Sequence, residues 1–393
     1  MKEYQFPTAD LLADSPDTSK FQRQEYILQK KEKLQEMFSL FGMDVKIVHC
    51  HCNSIALLIR LQLGEGVTAR AVRDRRKDIE LVMEDSVDFR DDEENRQMMS
   101  IAVKDMNRPK IALKDILSSS AFQNCRSLLP VAAGVDLFGG KLILNLEEIG
   151  SLLIVGVTGS GKSVFLGDLI TSILFRARPD EVQFLFFDFK GVELPLFNDI
   201  PHLIVPSVKE KAKALNELER LRETANKRLF LLEMAQKKTF EEYNRSLEEP
   251  LPRIVLIIDE FMSLMDKKGK TDAQFTEIIQ HLARTTRQTG IHLVLSTQRP
   301  SAGIIGREIS EAIPHRVSFY VMSGVESRIA INQTGAQRLL GEGDMIYADI
   351  NREKGTHAQA ALITDAEIDR VIRFCNGQLE FGIDEEKEEP PET

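Results

Sequence analysis

The sequence lacks a hydrophobic run long enough to cross a membrane as a helix. Its longest apolar stretches, such as LLIV at 152–155 and IVLII at 254–258, have only the length of a β-strand, whereas a membrane-spanning helix needs about 20 residues. The N-terminus also lacks the basic start and the apolar core of a signal peptide. These absences predict a cytoplasmic protein without direct membrane insertion.

Cysteine is scarce, and positive charge is in the minority. The spacing of the four cysteines is not that of a disulfide scaffold, which fits a reducing compartment. Lys and Arg total 51 against 61 Asp and Glu, so the formal net charge is −10. This balance argues against a surface coated with nucleic acid, but it allows one local basic groove or pore. At 393 residues the chain is long enough for two or three domains.

The strongest functional signal is a glycine-rich stretch between a strand and a helix. Residues 152–155 predict a buried strand, GVTGSGKS follows at 156–163, and helical spacing comes next. This order is typical of a phosphate-binding loop, and it disfavours a simple glycine-rich turn. Lys162 can reach the β- and γ-phosphates, and Ser163 can ligate Mg²⁺. We predict that ATP is held by the following residues of this phosphate loop: Gly156, Val157, Thr158, Gly159, Ser160, Gly161, Lys162, Ser163 and Val164.

Two carboxylates follow another apolar run. IVLIIDE ends in Asp259 and Glu260. We predict that Asp259 joins the Mg²⁺ shell beside Ser163 and that Glu260 deprotonates the water attacking the γ-phosphate. Gln298 follows the strand IHLVLST, where a glutamine can sense the γ-phosphate. The structural alternatives are a helix N-cap for Asp259 and a capping amide for Gln298.

The order of apolar runs and helical patterns predicts an α/β protein. Residues 121–378 alternate strands and helices, as in a RecA-like P-loop NTPase core with a doubly wound, mainly parallel sheet. Residues 19–120 predict a small α+β subdomain, in which 84–95 form an acidic, exposed segment. We expect a flexible N-terminal arm at 1–18 and an acidic disordered tail at 379–393.

Several motifs in the same order resemble the FtsK/SpoIIIE family of DNA translocases. They are GVTGSGKS, FFDFKGVEL with IPHLIVP, IVLIIDEF, GIHLVLSTQRPS and LLGEGDMIY, between about residues 128 and 375. The stretches DVKIV, IRLQLGEGV and IAVKDMNRPKIALKDIL are similar to that family's α subdomain. The resemblance implies an ATP-driven homo-oligomer, usually a hexameric ring, that threads double-stranded DNA through its pore. It also implies nucleotide roles for Lys162, Ser163, Asp259, Glu260 and Gln298.

The resemblance implies further site residues. Arg287, in RTTRQTGIHL, matches the arginine finger that reaches a neighbour's ATP, with Arg284 as the alternative. The family's LLGxGDM loop lies near the nucleotide, which adds Gly341, Gly343 and Asp344 as candidates. In the loop after Gln298, Arg307 is the main cation that could contact DNA, and it lies among acidic residues.

The chain departs from the family pattern at several points. Asp188-Phe-Lys190 stands where Asp-Pro-Lys is common, and the loop after Gln298 has few basic residues. The sequence carries neither the membrane-spanning part nor the winged-helix module of the cell-division members. We therefore expect a mobile-element, phage, plasmid-transfer or defence context. The alternative is a protein-translocating secretion ATPase of the same superfamily. A regulatory nucleotide switch is a third hypothesis, against which Glu260 argues.

The segment His49-Cys50-His51-Cys52 contains the residue types that bind zinc. On a strand, its two histidines would face one side and its two cysteines the other. One ion could not take all four side chains, so a zinc site would need ligands from elsewhere. We therefore interpret the segment as structural.

Overall fold

The structure is a computed structural model that describes most of the chain. The described residues are 4–15, 24–53, 55–92, 95–104, 110–265, 270–301, 305, 307–351 and 354–380. The strands are β1 Val45–Cys52, β2 Ala56–Leu63, β3 Val87–Asp91, β4 Met98–Lys104, β5 Pro130–Asp136, β6 Lys141–Asn145, β7 Ser151–Val155, β8 Val182–Asp188, β9 Arg253–Asp259, β10 Ile291–Thr297, β11 His315–Ser318, β12 Asp344–Asp349 and β13 Thr356–Ala360. The α-helices are α1 Gln24–Leu40, α2 Ala69–Asp74, α3 Arg76–Met83, α4 Leu113–Leu117, α5 Ser120–Gln123, α6 Leu146–Ile149, α7 Lys162–Leu174, α8 Lys211–Met234, α9 Phe240–Asn244, α10 Lys270–Thr289, α11 Arg307–Ala312, α12 Gly324–Ile331 and α13 Asp365–Glu380.

A nine-stranded mixed sheet forms the larger part, in the order β6-β5-β13-β12-β11-β7-β10-β9-β8. Five neighbouring strands run parallel to one another, namely β11, β7, β10, β9 and β8. The other four, β12, β13, β5 and β6, continue the sheet beyond β11 in antiparallel pairs. Every residue of β7, β9 and β10 is buried, as expected for parallel strands covered by helices on both faces. The predicted fold class is confirmed, although the antiparallel half of the sheet is larger than "mainly parallel" implied.

A four-stranded antiparallel sheet, in the order β1-β2-β4-β3, forms the smaller N-terminal part. Its presence agrees with the predicted α+β subdomain, while the division of the chain near residue 120 stays a prediction. The prediction of an exposed segment at 84–95 is wrong, because β3 lies within it. Val87 and Phe89 are 3% and 5% exposed, since strand alternation turns them to the core while Asp88 and Arg90 point away.

The prediction of a flexible arm at 1–18 is wrong for residues 4–15, which lie against α13. Leu12 is 3% exposed, so its burial holds the segment in place. The backbone N–H of Ala13 donates to Glu367 Oε1 at 2.7 Å, and Arg370 Nε donates to the Leu11 carbonyl at 2.7 Å. At the other end, α13 continues to Glu380, and residues 381–393 of the predicted acidic tail lie outside the described residues.

The histidine and cysteine segment lies on β1, at the edge of the small sheet. His49 and His51 are exposed with ring centroids 5.0 Å apart, while Cys50 and Cys52 turn towards the core. Within the described residues, no group of three or more His, Cys, Asp or Glu side chains is arranged to hold a metal ion. Among the described helices, none is both long and apolar enough to cross a membrane.

Candidate functional site

The phosphate loop joins β7 to α7 at the carboxyl edge of the parallel strands. Gly161 has φ 113° and caps α7, and a Cβ at this position would lie 2.7 Å from Gly343 Cα. Only glycine fits both the left-handed backbone and this close approach. The Ser160 hydroxyl donates to the Val157 carbonyl at 2.6 Å, which tightens the turn. The phosphate loop therefore ends at the N-terminus of α7, where backbone N–H groups bind anions readily.

Lys162 and Asp259 meet at the base of this loop. Lys162 Nζ is 2.5 Å from Asp259 Oδ1 and 3.2 Å from Ser296 Oγ, and the Ser296 hydroxyl also donates to Asp259. Burial by itself raises the pKa of Asp259, but the charge and hydrogen bond of Lys162 outweigh burial and hold that pKa below its ordinary value. Asp259 is therefore a carboxylate. Ser296 was missed by the sequence analysis, although it lies in the STQRP motif.

Glu260 is held by three donors just beyond β9. Lys190 Nζ lies 3.0 Å from Oε2, the Thr297 hydroxyl donates to Oε1 at 2.8 Å, and the Gln298 N–H donates at 3.3 Å. Glu260 has φ 53°, which is uncommon for a non-glycine residue and persists where the surroundings fix it. This arrangement keeps the carboxylate at the same edge of the sheet as the phosphate loop. Sequence reasoning found Glu260 but missed Lys190 and Thr297 as its partners.

Asp188 organises the loop that carries Lys190. This carboxylate is fully buried at the end of β8 and accepts hydrogen bonds from five consecutive backbone N–H groups, those of residues 190–194, at 2.8–3.2 Å. The loop directs Lys190 to Glu260 and brings Glu193 to the cavity described below. The signal in the sequence was an Asp at the end of an apolar strand, two residues before a Lys-Gly pair. Phe189 stands where the family commonly has proline, and Asp188 still accepts all five hydrogen bonds.

Replacing Asp188 with alanine should destabilise the protein strongly. The five N–H groups would lose a charged acceptor in a buried site, so we expect the free energy of unfolding to fall by about 3 kcal/mol or more. Urea unfolding measures this change. The control is Asp180→Ala, because Asp180 is 70% exposed and pairs with Arg178 at the surface, where a pair contributes about 0–1 kcal/mol. Equal losses in the two variants would contradict the role given to Asp188.

A cavity of about 330 Å³ opens in front of the phosphate loop. Gln298 follows β10 as predicted, and its Oε1 accepts a hydrogen bond from the Thr158 hydroxyl at 3.2 Å. Gly343 and most of the predicted residues of the phosphate loop line the cavity, whereas these predicted residues do not: Gly156, Ser160, Asp259, Glu260, Gly341 and Asp344. The lining that sequence reasoning missed comes from the stretches around 110 and 360 and from two acidic residues: Lys110, Ile111, Glu193, Glu342, Gln359, Ala360, Ala361 and Leu362. The cavity is thus lined by the phosphate loop together with both polar and apolar residues from other parts of the chain.

Arg287 lies away from this cavity. It is near the end of α10, at the edge of the sheet where β10 begins, whereas the phosphate loop is at the edge where β10 ends. Its Nη2 donates to the Glu148 carbonyl at 3.0 Å, and it lines a separate cavity of about 590 Å³. Arg284 is exposed and does not line that cavity. Arg307 begins α11, and its side chain lies outside the described part of the chain.

Comparisons with known proteins match most of the chain to two family domains. Residues 112–302 match the FtsK/SpoIIIE family, and residues 6–103 match the FtsK alpha domain. A DNA translocase FtsK from Listeria monocytogenes is 32% identical over 395 residues, which cover 98% of this chain and 52% of that protein. The DNA translocase FtsK of Caldanaerobacter subterraneus is 34% identical over 389 residues, covering 98% and 54%. The chain therefore spans about half the length of these curated relatives.

Solved structures with similar folds come from two other contexts. The pCW3 conjugation coupling protein TcpA, solved in its monomer form with ATPγS, has a TM-score of 0.60 at 21% identity, covering 89% of this chain and 99% of that one. The cytoplasmic domain of the Type VII secretion ATPase EccC from Thermomonospora curvata has a TM-score of 0.59 at 22% identity, covering 68% and 34%. At these identities the likeness establishes the fold alone.

Proposed function

The chain belongs to the FtsK/SpoIIIE family, and on this premise we propose that it is an ATPase that moves double-stranded DNA through an oligomeric ring. The observation that carries the proposal is the convergence of Lys162, Asp259, Glu260 and Gln298 at one edge of the large sheet. The relatives that match nearly the whole chain are named DNA translocases, which supports DNA as the substrate.

The residues of the phosphate loop and of the end of β9 fit ATP with Mg²⁺. The Ser163 hydroxyl and the Asp259 carboxylate are oxygen donors of the kind that Mg²⁺ prefers, and Asp259 is kept ionised by Lys162. When bound, Mg²⁺ neutralises charge on the β- and γ-phosphates. Lys162 leaves Asp259 and contacts the phosphates. Glu260 accepts a proton from the attacking water. Gln298 contacts the γ-phosphate and couples its presence to the loop that follows Gln298.

We further propose that the functional unit is a ring, with six copies as the family implies. Arg287 lies at the edge of the sheet opposite its own phosphate loop, so one copy cannot use it on its own ATP. A head-to-tail ring brings one edge of each copy to the opposite edge of the next. Arg287 would then complete the neighbour's site and stabilise charge in the transition state.

The proposal is tested by the ATPase rate with and without linear duplex DNA. We expect strong stimulation at low salt that weakens as salt rises, because contacts with the phosphate backbone release counterions. The Lys162→Ala variant should show no rate under either condition. If duplex DNA does not stimulate the natural protein at any salt concentration, DNA translocation is excluded and the protein-translocating alternative takes its place.

A further inference from the structure

A buried ion pair joins the two sheets and has no part in the mechanism above. Lys104 ends β4 of the small sheet, and its ammonium contacts the carboxylate of Asp344, the first residue of β12 in the large sheet. Both side chains are 1% exposed. His357 on β13 completes the cluster, since its Nε2 lies 2.8 Å from Asp344 Oδ1 and 3.5 Å from Lys104 Nζ.

Asp344 also fixes the loop that precedes it. Its Oδ2 accepts a hydrogen bond from the Leu340 N–H at 2.7 Å, and its own N–H donates to the Gly341 carbonyl at 3.0 Å. Within this turn Gly341, Glu342 and Gly343 all have positive φ. A left-handed glutamate is retained where its surroundings determine the backbone. The orientation of the Asp344 carboxylate therefore sets the conformation of residues 340–343.

The same loop forms one wall of the nucleotide cavity. Glu342 and Gly343 line it, and the Gly343 N–H donates to the Ser160 carbonyl at 2.9 Å. On its other side, the Gly343 carbonyl accepts a hydrogen bond from the Ala360 N–H at 2.7 Å. Because Gly343 also packs directly on Gly161, a displacement of this loop displaces the phosphate loop.

We infer that Lys104 is a positioning residue for the nucleotide site. Through Asp344 it fixes the 340–343 loop against the phosphate loop, so that nucleotide affinity depends on the placement of the N-terminal sheet. The inference rests on the proposed function in one respect, that this cavity binds the nucleotide. A buried ion pair contributes little stability compared with apolar packing of the same volume, so a positional role accounts for it better.

Other polar contacts between the two sheets provide a matched control. Lys354 Nζ lies 3.5 Å from Asp88 Oδ1, joining the turn between β12 and β13 to β3, but the Lys354 side chain is 60% exposed. It does not contact the 340–343 loop through any hydrogen bond or ion pair found among the described residues. Lys354→Met therefore removes a lysine at the same junction without touching the nucleotide cavity.

The test compares ATPγS binding with Mg²⁺, by calorimetry, and thermal unfolding of the natural chain and three variants. Lys104→Met should weaken binding about tenfold or more, because the carboxylate of Asp344 loses its counter-charge and reorients. The double variant Lys104→Met/Asp344→Asn leaves no unpaired charge, so it should unfold near the natural temperature. It should still bind about tenfold more weakly, since the loop is no longer tethered to the small sheet. Lys354→Met should bind like the natural protein.

Each outcome decides the inference. A folded double variant that binds ATPγS within about threefold of the natural protein would show that the pair only neutralises charge, and it would overturn the inference. A double variant that does not fold would also overturn it, because the pair would then be a structural requirement. If the natural chain itself does not bind ATPγS, the proposed function fails instead, so the two failures are distinguishable.

Discussion

The Glu260→Gln variant is expected to bind ATP with Mg²⁺ like the natural protein and to hydrolyse it about 10²–10⁴-fold more slowly. Glutamine keeps the size of the side chain and an oxygen that can accept the hydrogen bonds from Thr297 and the Gln298 N–H. It cannot accept a proton from the attacking water. The change therefore removes the general base and leaves the phosphate loop intact.

The measurement is ATP turnover beside the affinity for ATPγS. Glu193→Gln is the matched control, because Glu193 lines the cavity but has no hydrogen bond to Thr297 or Gln298 among the described residues. We expect this control to retain most of the activity. If Glu260→Gln turned over ATP at the natural rate, the base would have to be another group and the role of Glu260 would be limited to its contacts with Lys190 and Thr297.

The contacts of Glu260 give this prediction a second consequence. Lys190 and Thr297 each contact one carboxylate oxygen, and the two oxygens together offer about four lone pairs, so Glu260 can still accept a proton from water. Lys190 is 41% exposed and its pairing with Glu260 is weak enough to break. Its loop is fixed by Asp188, whereas the Lys190 side chain itself extends from that loop. Activation therefore needs at most a movement of the Lys190 side chain and no rearrangement of the sheet.

The phosphate loop, Asp259, Glu260 and Gln298 could be placed from the sequence because each depends on neighbours along the chain. β7, β9 and β10 read as continuous apolar runs, and polar residues follow them directly. Parallel strands bring these ends to one edge of the sheet. Local signals were therefore sufficient for the chemical centre of the site.

The contacts that complete the site depend on residues distant in the sequence. β12 and β13 have the sequences DMIYAD and THAQA, and they were not predicted as strands, because the apolar part of the first is MIYA between two aspartates and that of the second is only two alanines. Their pairing with β11 and β5 makes them strands. The partnership of Lys104 with Asp344 likewise joins two sheets across more than 200 residues. No spacing in the sequence indicates such a pair, because it is fixed by how the two sheets pack.

Arg287→Ala is expected to bind ATPγS like the natural protein and to lose about 10³–10⁵-fold in turnover. Binding should persist because Arg287 does not line the nucleotide cavity of its own chain. The turnover rate should fall because the guanidinium that stabilises the transition-state charge on the neighbour's γ-phosphate is lost. The matched control is Arg284→Ala, which removes an exposed arginine one helical turn earlier that does not line the second cavity.

Mixing two inactive variants separates a shared site from a self-contained one. A Lys162→Ala subunit still presents Arg287, and an Arg287→Ala subunit still has a complete phosphate loop. In a random equal mixture, about one quarter of the head-to-tail interfaces combine the two intact halves, so some activity should return. No recovery from mixtures that assemble into rings would contradict a site shared in this way. If Arg287→Ala alone hydrolyses ATP normally while Arg284→Ala does not, the finger belongs to Arg284. If both variants hydrolyse normally, each chain completes its own site and the ring mechanism fails.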